Sequence, residues 1–257
     1  MLEINKVYQG DCLEVMELIA DRSIDMILCD LPYQITACKW DIIIPFIPLW
    51  KQYKRVIKDR GAIVLTATQP FTSTLVMSNI EMFKYEWIWN KSRALGFFNA
   101  KHKPMNKQES ILVFSKGDCA NRCHLRMNYN PQNLIEVNKK VNGTRSCIAD
   151  SEGHRFARPS HKKERVQRYT NFPDSVLTIP SEGGTVHPTQ KPVALCEYLI
   201  KTYTNEGDIV LDNCAGSGTT GVACRNTGRN FILIEREERY VEIINQRLFD
   251  NQKIWER

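Results

Sequence analysis

No stretch of this sequence supplies the roughly 18–20 consecutive apolar residues that a helix needs to cross a bilayer. The opening Met1-Leu2-Glu3-Ile4-Asn5-Lys6 lacks the apolar core of a secretory leader, so the expected location is cytoplasmic. A cysteine framework is missing too. Nine cysteines stand at 12, 29, 38, 119, 123, 147, 196, 214 and 224, an odd number without regular spacing, which excludes a disulfide-stapled scaffold. Cys119, Cys123 and His124, with Cys147 and His154 downstream, carry zinc-binding chemistry, but the spacing is loose and no metal site is assigned. Cys29, Cys196 and Cys214 lie in apolar or tight contexts and are expected in the core. Internal repeats and low-complexity tracts are absent. What remains is an ordinary globular balance, 25% charged and 42% hydrophobic residues over 257 positions. That length allows one large domain with an inserted subdomain.

Charge is unevenly placed. The chain carries +6 overall. From Lys116 to Arg168 there are twelve Lys/Arg (Lys116, Arg122, Arg126, Lys139, Lys140, Arg145, Arg155, Arg158, Lys162, Lys163, Arg165, Arg168) against five Asp/Glu, a local +7. The whole excess sits in one segment, as expected for a polyanion partner. Amide side chains in the same segment, Asn128, Asn130, Gln132 and Asn133, have the chemistry to read base edges.

Apolar patterning predicts strands at 4–9, 23–29, 61–66, 84–89, 110–114, 208–212 and 230–234. Helices are predicted at 12–20, 46–58, 70–80, 193–200, 219–227 and 238–250. Strands alternating with helices indicate an α/β fold whose largely parallel sheet is covered on both faces. Periodicity fades between 117 and 180. The expected organisation is a first half at 1–116, a basic region at 117–180 and a second half of the same domain at 181–257.

Two segments carry chemistry. Asp30-Leu31-Pro32-Tyr33 follows a predicted strand, so it should sit at a carboxyl end of the sheet. An exocyclic amine on adenine or cytosine is a poor nucleophile, because its lone pair is delocalised into the ring. Acceptors on both its N–H bonds localise that pair. The Asp30 carboxylate is one acceptor; the Leu31 carbonyl, stiffened by Pro32, is the other. Tyr33 offers a stacking face. A base within a duplex must be flipped to reach such a clamp. Tyr33 and Phe114 are the candidates for its two faces, with Trp40 at the mouth.

The second segment is Gly216-Ser217-Gly218-Thr219-Thr220-Gly221, between a predicted strand and a predicted helix. A nicotinamide or flavin dinucleotide fits it poorly. Asp212 would face the pyrophosphate, and the 22 residues after Glu235 leave little room for a second mononucleotide half. The turn has no Lys, so it is not a phosphate loop. S-adenosylmethionine resolves the conflict: its sulfonium and ammonium suit Asp212, its ribose hydroxyls suit Glu235, and the glycines let backbone approach closely.

Together these residues resemble the amino-methylating DNA methyltransferases, in the circularly permuted subgroup that places the catalytic motif first. Asp30-Leu31-Pro32-Tyr33 is similar to that family's Asp-Pro-Pro-Tyr. Asp212 through Gly221 resembles its cofactor loop, with Ala215, Gly216, Gly218, Thr219 and Thr220 as contacts, and Glu235 its ribose-binding acid. His187-Pro188-Thr189-Gln190-Lys191-Pro192 resembles the motif at the methionine end, implicating His187, Thr189, Gln190 and Lys191. Gly10-Asp11 resembles the element at the cofactor adenine, and Glu109 through Lys116 the strand whose aromatic packs on the flipped base. The resemblance covers most of 4–116 and 185–250. It implies a Rossmann-like methyltransferase fold with a mixed seven-stranded sheet, one strand antiparallel, and often a homodimer. The implied activity is methyl transfer from S-adenosylmethionine to adenine N6 in double-stranded DNA, with cytosine N4 as the alternative. The segment 117–180 becomes the target-recognition region, its Lys and Arg on phosphates. Leu31 departs from the usual proline, but only its carbonyl is required. Asn213-Cys214-Ala215 replaces a Pro-Phe stretch, which implies weaker cofactor binding. An inactive nucleic-acid-binding module is the reading from another class, and the intact Asp30, Tyr33, Asp212 and Glu235 argue against it.

Overall fold

The computed structural model describes residues 2–34, 42–121, 123–141, 148–149, 155–156, 165–182 and 190–255. It divides into two compact units, Met1–Asn130 with Ser175–Arg257, and Pro131–Asp174. In the larger unit the chain runs β1 (Lys6–Gln9), α1 (Cys12–Glu17), β2 (Ile24–Cys29), α2 (Phe46–Val56), β3 (Ile57–Ala67), α3 (Phe71–Ser78), β4 (Phe83–Leu95) and β5 (Asn106–Phe114). The smaller unit holds β6 (Ile135–Val141), β7 (Ile148–Ala149), β8 (Arg155–Phe156) and β9 (Arg165–Thr170). The larger unit resumes with β10 (Val176–Thr178), α4 (Val193–Tyr203), β11 (Ile209–Asp212), α5 (Thr219–Asn226), β12 (Asn230–Glu235) and α6 (Glu238–Trp255).

Eight strands form one sheet in the order β1-β12-β11-β2-β3-β5-β4-β10. β5 runs antiparallel to both its neighbours and every other pairing is parallel. The sheet has one strand more than the family resemblance implies; the addition is the three-residue β10 on the β4 edge. Alternation along the strands builds two cores. Ile27, Cys29, Ile63, Leu65, Ile232 and Ile234 face α1, α2 and α3, through Met16, Leu49, Tyr53 and Leu75. Met26, Leu28, Val64, Phe231 and Leu233 face α4, α5 and α6, through Leu199, Tyr203, Ala223 and Ile244. Parallel strands buried on both faces explain why these segments read as continuous apolar runs. Of the cysteines expected inside, Cys29 and Cys196 are buried and Cys214 is partly so.

The inserted unit is narrower than the 117–180 stretch in which periodicity fades. Residues 117–130 belong to the larger unit: the Asn128 N–H donates to the Arg60 carbonyl at 2.9 Å and the Asn130 N–H to the Thr202 carbonyl at 2.7 Å. The Asn130 side chain also donates to the Thr204 carbonyl at 3.1 Å, so it anchors the end of α4 and is not a base-reading group. Inside the smaller unit, β6 and β9 pair as an antiparallel ribbon that the sequence pattern did not predict. No helix among the described residues is long and apolar enough to cross a membrane.

Candidate active site

β2, β3, β11 and β12 are parallel, so their carboxyl ends open on the same edge, where a cavity of about 600 Å³ lies. That size suits a small-molecule site. Asp30 directly follows β2 and lines the cavity with Leu31, Pro32 and Tyr33. Its Oδ1 accepts hydrogen bonds from the hydroxyls of Tyr33 and of Thr66 in β3. Its Oδ2 accepts from Lys191 Nζ at 2.5 Å. Tyr33 Oη also lies 2.9 Å from Thr66 Oγ1, and its ring packs on Phe71 with centroids 5.0 Å apart. Burial, and then the Asp30 charge, push the Tyr33 phenol well above its usual range, so it stays protonated and can donate.

Lys191 does more than touch Asp30. Its Nζ is 3.0 Å from Glu109 Oε1, while Lys91 Nζ lies 2.6 Å from Glu109 Oε2. Two carboxylates and two ammonium groups thus form one neutral cluster at the cavity wall. Glu109 is 4% exposed, a charge that would be costly unpaired. Burial opposes the Lys191 charge, but Asp30 and Glu109 outweigh it and hold the ammonium above the ordinary lysine range. Lys191 is expected at the methionine end of a cofactor; in the structure its ammonium pairs with Asp30 and Glu109.

At the other end of the cavity, Asp212 closes β11 and is 5% exposed. Thr220 Oγ1 donates to its Oδ2 at 2.6 Å and the Cys214 N–H to its Oδ1 at 3.1 Å. No Lys or Arg pairs with it among the described residues. Burial, only partly offset by the Thr220 hydrogen bond, raises its carboxyl to about 6. Glu235 closes β12, one strand over; its Oε2 accepts the Gly216 N–H at 2.8 Å and its Oε1 the Glu237 N–H at 3.0 Å. Burial raises its carboxyl as well. The turn between needs its glycines. Gly216 and Gly218 take φ of 52° and 78°, and a Cβ on Gly218 would meet Ile244 Cγ2 at 2.8 Å. Ala215, Gly216, Thr219 and Thr220 line the cavity, as do Asp11 and Gln190. Asp11 caps α1 through the Leu13 N–H at 2.8 Å, beside Glu235, whose carbonyl accepts the Gly10 N–H at 3.0 Å. Gln190 accepts from Ser217 Oγ at 3.0 Å, which ties its segment to the turn.

Other expected residues fall elsewhere. Phe114 is not at the cavity. β5 runs backward, so its last residue lies at the opposite edge of the sheet, fully buried against Trp50 and Phe83. Trp40, His187 and Thr189 lie outside the described residues, as do Arg122, Arg145, Arg158, Lys162 and Lys163; Arg155 and Arg165 are described in backbone only. Arg126 is exposed on the larger unit, and Lys139, Lys140 and Arg168 on the smaller one. Thr66, Lys91 and Glu109 were not foreseen as site residues. Only strand pairing brings them to Asp30, and the available signal was their position near strand ends.

A hydrogen-bond acceptor held ready on one side of the cavity, and an anion with no cation partner among the described residues on the other, suit group transfer from a cationic donor. The donor set fits S-adenosylmethionine: the uncompensated Asp212 for its positive groups, Glu235 for a diol, and a glycine turn open to close approach. Comparison with known proteins agrees. The DNA methylase family model for N6 and N4 methylation matches residues 24–246, and the chain belongs to that family. The type II methyltransferase M1.MboII of Moraxella bovis is 30% identical over 95% of this chain and 96% of its own length. The DNA adenine methyltransferase YhdJ of Escherichia coli is 29% identical over 96% of this chain and 83% of its own. Among solved structures, the M1.HpyAVI–SAM complex superposes with a TM-score of 0.62 at 25% identity, covering 95% of this chain and 99% of that one. The cytosine-N4-specific PvuII DNA methyltransferase shares the fold, with a TM-score of 0.66 at 16% identity, over 98% of this chain and 92% of that one.

Proposed function

We propose that this chain transfers a methyl group from S-adenosylmethionine to the N6 amine of an adenine flipped out of a specific sequence in double-stranded DNA. The observation that carries the reading is the Asp30 carboxylate, oriented at a shared cavity by Thr66, Tyr33 and Lys191 and facing the cation-seeking Asp212. When bound, S-adenosylmethionine supplies an electrophilic methyl group on a sulfonium.

The chain's own residues do the rest. Asp30 and the Leu31 carbonyl accept the two N–H bonds of the target amine and localise its lone pair toward the donor. Lys191, Thr66 and Tyr33 fix the carboxylate in one orientation, so little reorganisation is needed as the amine turns pyramidal. The neutral cluster around Glu109 keeps the wall from repelling a base that gains positive charge. The proton leaves after attack, so a strong general base is not required. Asp212 holds positive charge and Glu235 hydroxyls, which orients the donor across the gap between two neighbouring strand ends. Lys139, Lys140 and Arg168 of the smaller unit, with Arg126 of the larger, are assigned to DNA phosphates on their charge and exposure.

Adenine is preferred over cytosine because position 30 is Asp, and because YhdJ, a DNA adenine methyltransferase, aligns over most of the chain. The PvuII cytosine enzyme is similar in fold alone. Digesting DNA from cells expressing the protein to nucleosides tests this. N6-methyladenine is expected, and N4-methylcytosine without it would overturn the adenine assignment. A homodimer, working in the cytoplasm, is the assembly inferred from the family resemblance; sedimentation of the purified chain tests it, and a monomer with full activity would reject it.

A further inference from the structure

β4 carries the cavity wall out into solvent. Trp89, Lys91, Arg93 and Leu95 alternate along it and all line the cavity, as one face of a strand must. Exposure climbs along this wall, from 3% at Trp89 to 58% at Leu95, then 76% at Phe97 and 98% at Phe98. Gly96, at φ 94°, turns the chain at the tip. The tip is braced from within: Asn99 donates to the Gly96 carbonyl, Ala100 to Phe97, and His102 and Lys103 to Asn99. Its backbone is therefore ordered while two adjacent phenyl rings stand in water. Scattered apolar residues on a surface are normal; a neighbouring pair at the tip of a hairpin whose strands line a cavity is not.

The charge around them is of one sign. Residues 91–108 contain five Lys/Arg, at 91, 93, 101, 103 and 107, and no Asp or Glu. Lys91 is engaged by Glu109. Arg93, Lys101, Lys103 and Lys107 are exposed and enter no ion pair among the described residues. A second copy of this surface would repel it, whereas a partner with an anionic exterior and a stacked apolar interior would match both features.

We propose that the β4–β5 hairpin is a second DNA-contacting element, with Arg93, Lys101, Lys103 and Lys107 on phosphates and Phe97 and Phe98 entering the base stack beside the extruded base. The proposal rests on the methyltransferase reading. A base that leaves the duplex for the cavity vacates a gap, and these rings stand two and three residues beyond Leu95, which lines that cavity. Aromatic wedges at unstacked steps stabilise such openings, and ring–base stacking tolerates any sequence.

Two variants of the full chain test it. Phe97→Ala/Phe98→Ala is expected to keep its melting temperature and its affinity for S-adenosylmethionine. Methyl transfer to unmodified genomic duplex should fall about tenfold or more, but only about twofold on the same DNA after heat denaturation, where no gap need be filled. Equal losses on both forms, or no loss, would overturn the wedge; so would a shift from dimer to monomer in sedimentation, which would make the tip a self-association surface. Lys101→Ala/Lys103→Ala/Lys107→Ala should lower the salt slope of binding to a short fluorescein-labelled duplex of mixed sequence by about 2–3. An unchanged slope would remove the phosphate contacts. Wild-type protein that binds this duplex but methylates no DNA would sink the methyltransferase reading, while the salt slopes would still decide the hairpin.

Discussion

Asp30 and Asp212 stand at the ends of neighbouring regions of one sheet, both at the cavity, yet their surroundings are opposite. Asp30 sits among two lysines, a second carboxylate and two hydroxyl donors, a cluster that is neutral before any ligand arrives. Asp212 has a hydroxyl and a backbone N–H but no cation among the described residues, and burial holds its carboxyl at about 6. The difference supports the proposed division of ligands. An acid with its charge already balanced is a positioned acceptor, suited to a neutral amine. An acid left short of a cation is a binding site for one.

Removing Asp30 should break the comparison most severely. Asp30→Ala is expected to lower methyl transfer by about 10²–10³-fold, measured with tritiated cofactor, while cofactor affinity stays within about twofold. Comparable incorporation by both proteins would end the assignment of Asp30 as the acceptor.

Asp212→Asn should do the converse, weakening cofactor binding by about 10–100-fold in calorimetry. Because the carboxyl titrates near 6 in the folded chain, wild-type affinity should rise with pH through that value and then level, and the variant should lose this dependence. The same substitution should stabilise the cofactor-free protein. A carboxyl raised on folding binds its proton more tightly in the native state, so its contribution falls as pH climbs from about 4 to about 6. The variant should therefore melt a few degrees higher at pH 8 and show no gain at pH 4. A melting temperature unaffected at both would mean that the burial of Asp212 is relieved some other way.

Lys191→Met should reduce methyl transfer by about tenfold. Asp30 would lose its ammonium partner and Glu109 would keep only Lys91, so the Asp30 carboxylate would be held less firmly as an acceptor. Lys191→Arg should restore much of the activity. A melting temperature that falls in step with activity, with no rescue by arginine, would make Lys191 a packing residue only. The smallest effect is expected from Leu31→Pro, at about twofold or less, because the proposed mechanism uses only the position-31 carbonyl; a loss comparable with that of Asp30→Ala would show that the side chain matters.

The sequence made the two acids and the glycine turn legible because each depends on local order: an apolar strand, then an acid or a turn at its end. Element positions followed for the same reason, since strands buried on both faces read as unbroken apolar runs. Pairing was less accessible. Glu109 and Thr66 reach Asp30 because β5 lies beside β3 in reverse, and that same reversal takes Phe114 to the far edge. The β6–β9 ribbon was hidden because Glu136, Asn138, Lys139 and Lys140 interrupt any apolar alternation. The role of Lys191 could not be read from its motif, because its two partners arrive from β2 and β5.

The buried Glu109 has a consequence for assembly of the sheet. Trp89 lies opposite Glu109 where β4 and β5 pair, and in that register Lys91 and Lys191 meet the carboxylate. A slip of one residue would turn Glu109 to the other face of the sheet, where it would meet apolar side chains without a counterion. The cluster at the cavity wall therefore also favours one alignment of the hairpin, since a misaligned Glu109 would carry the cost of an unpaired buried charge.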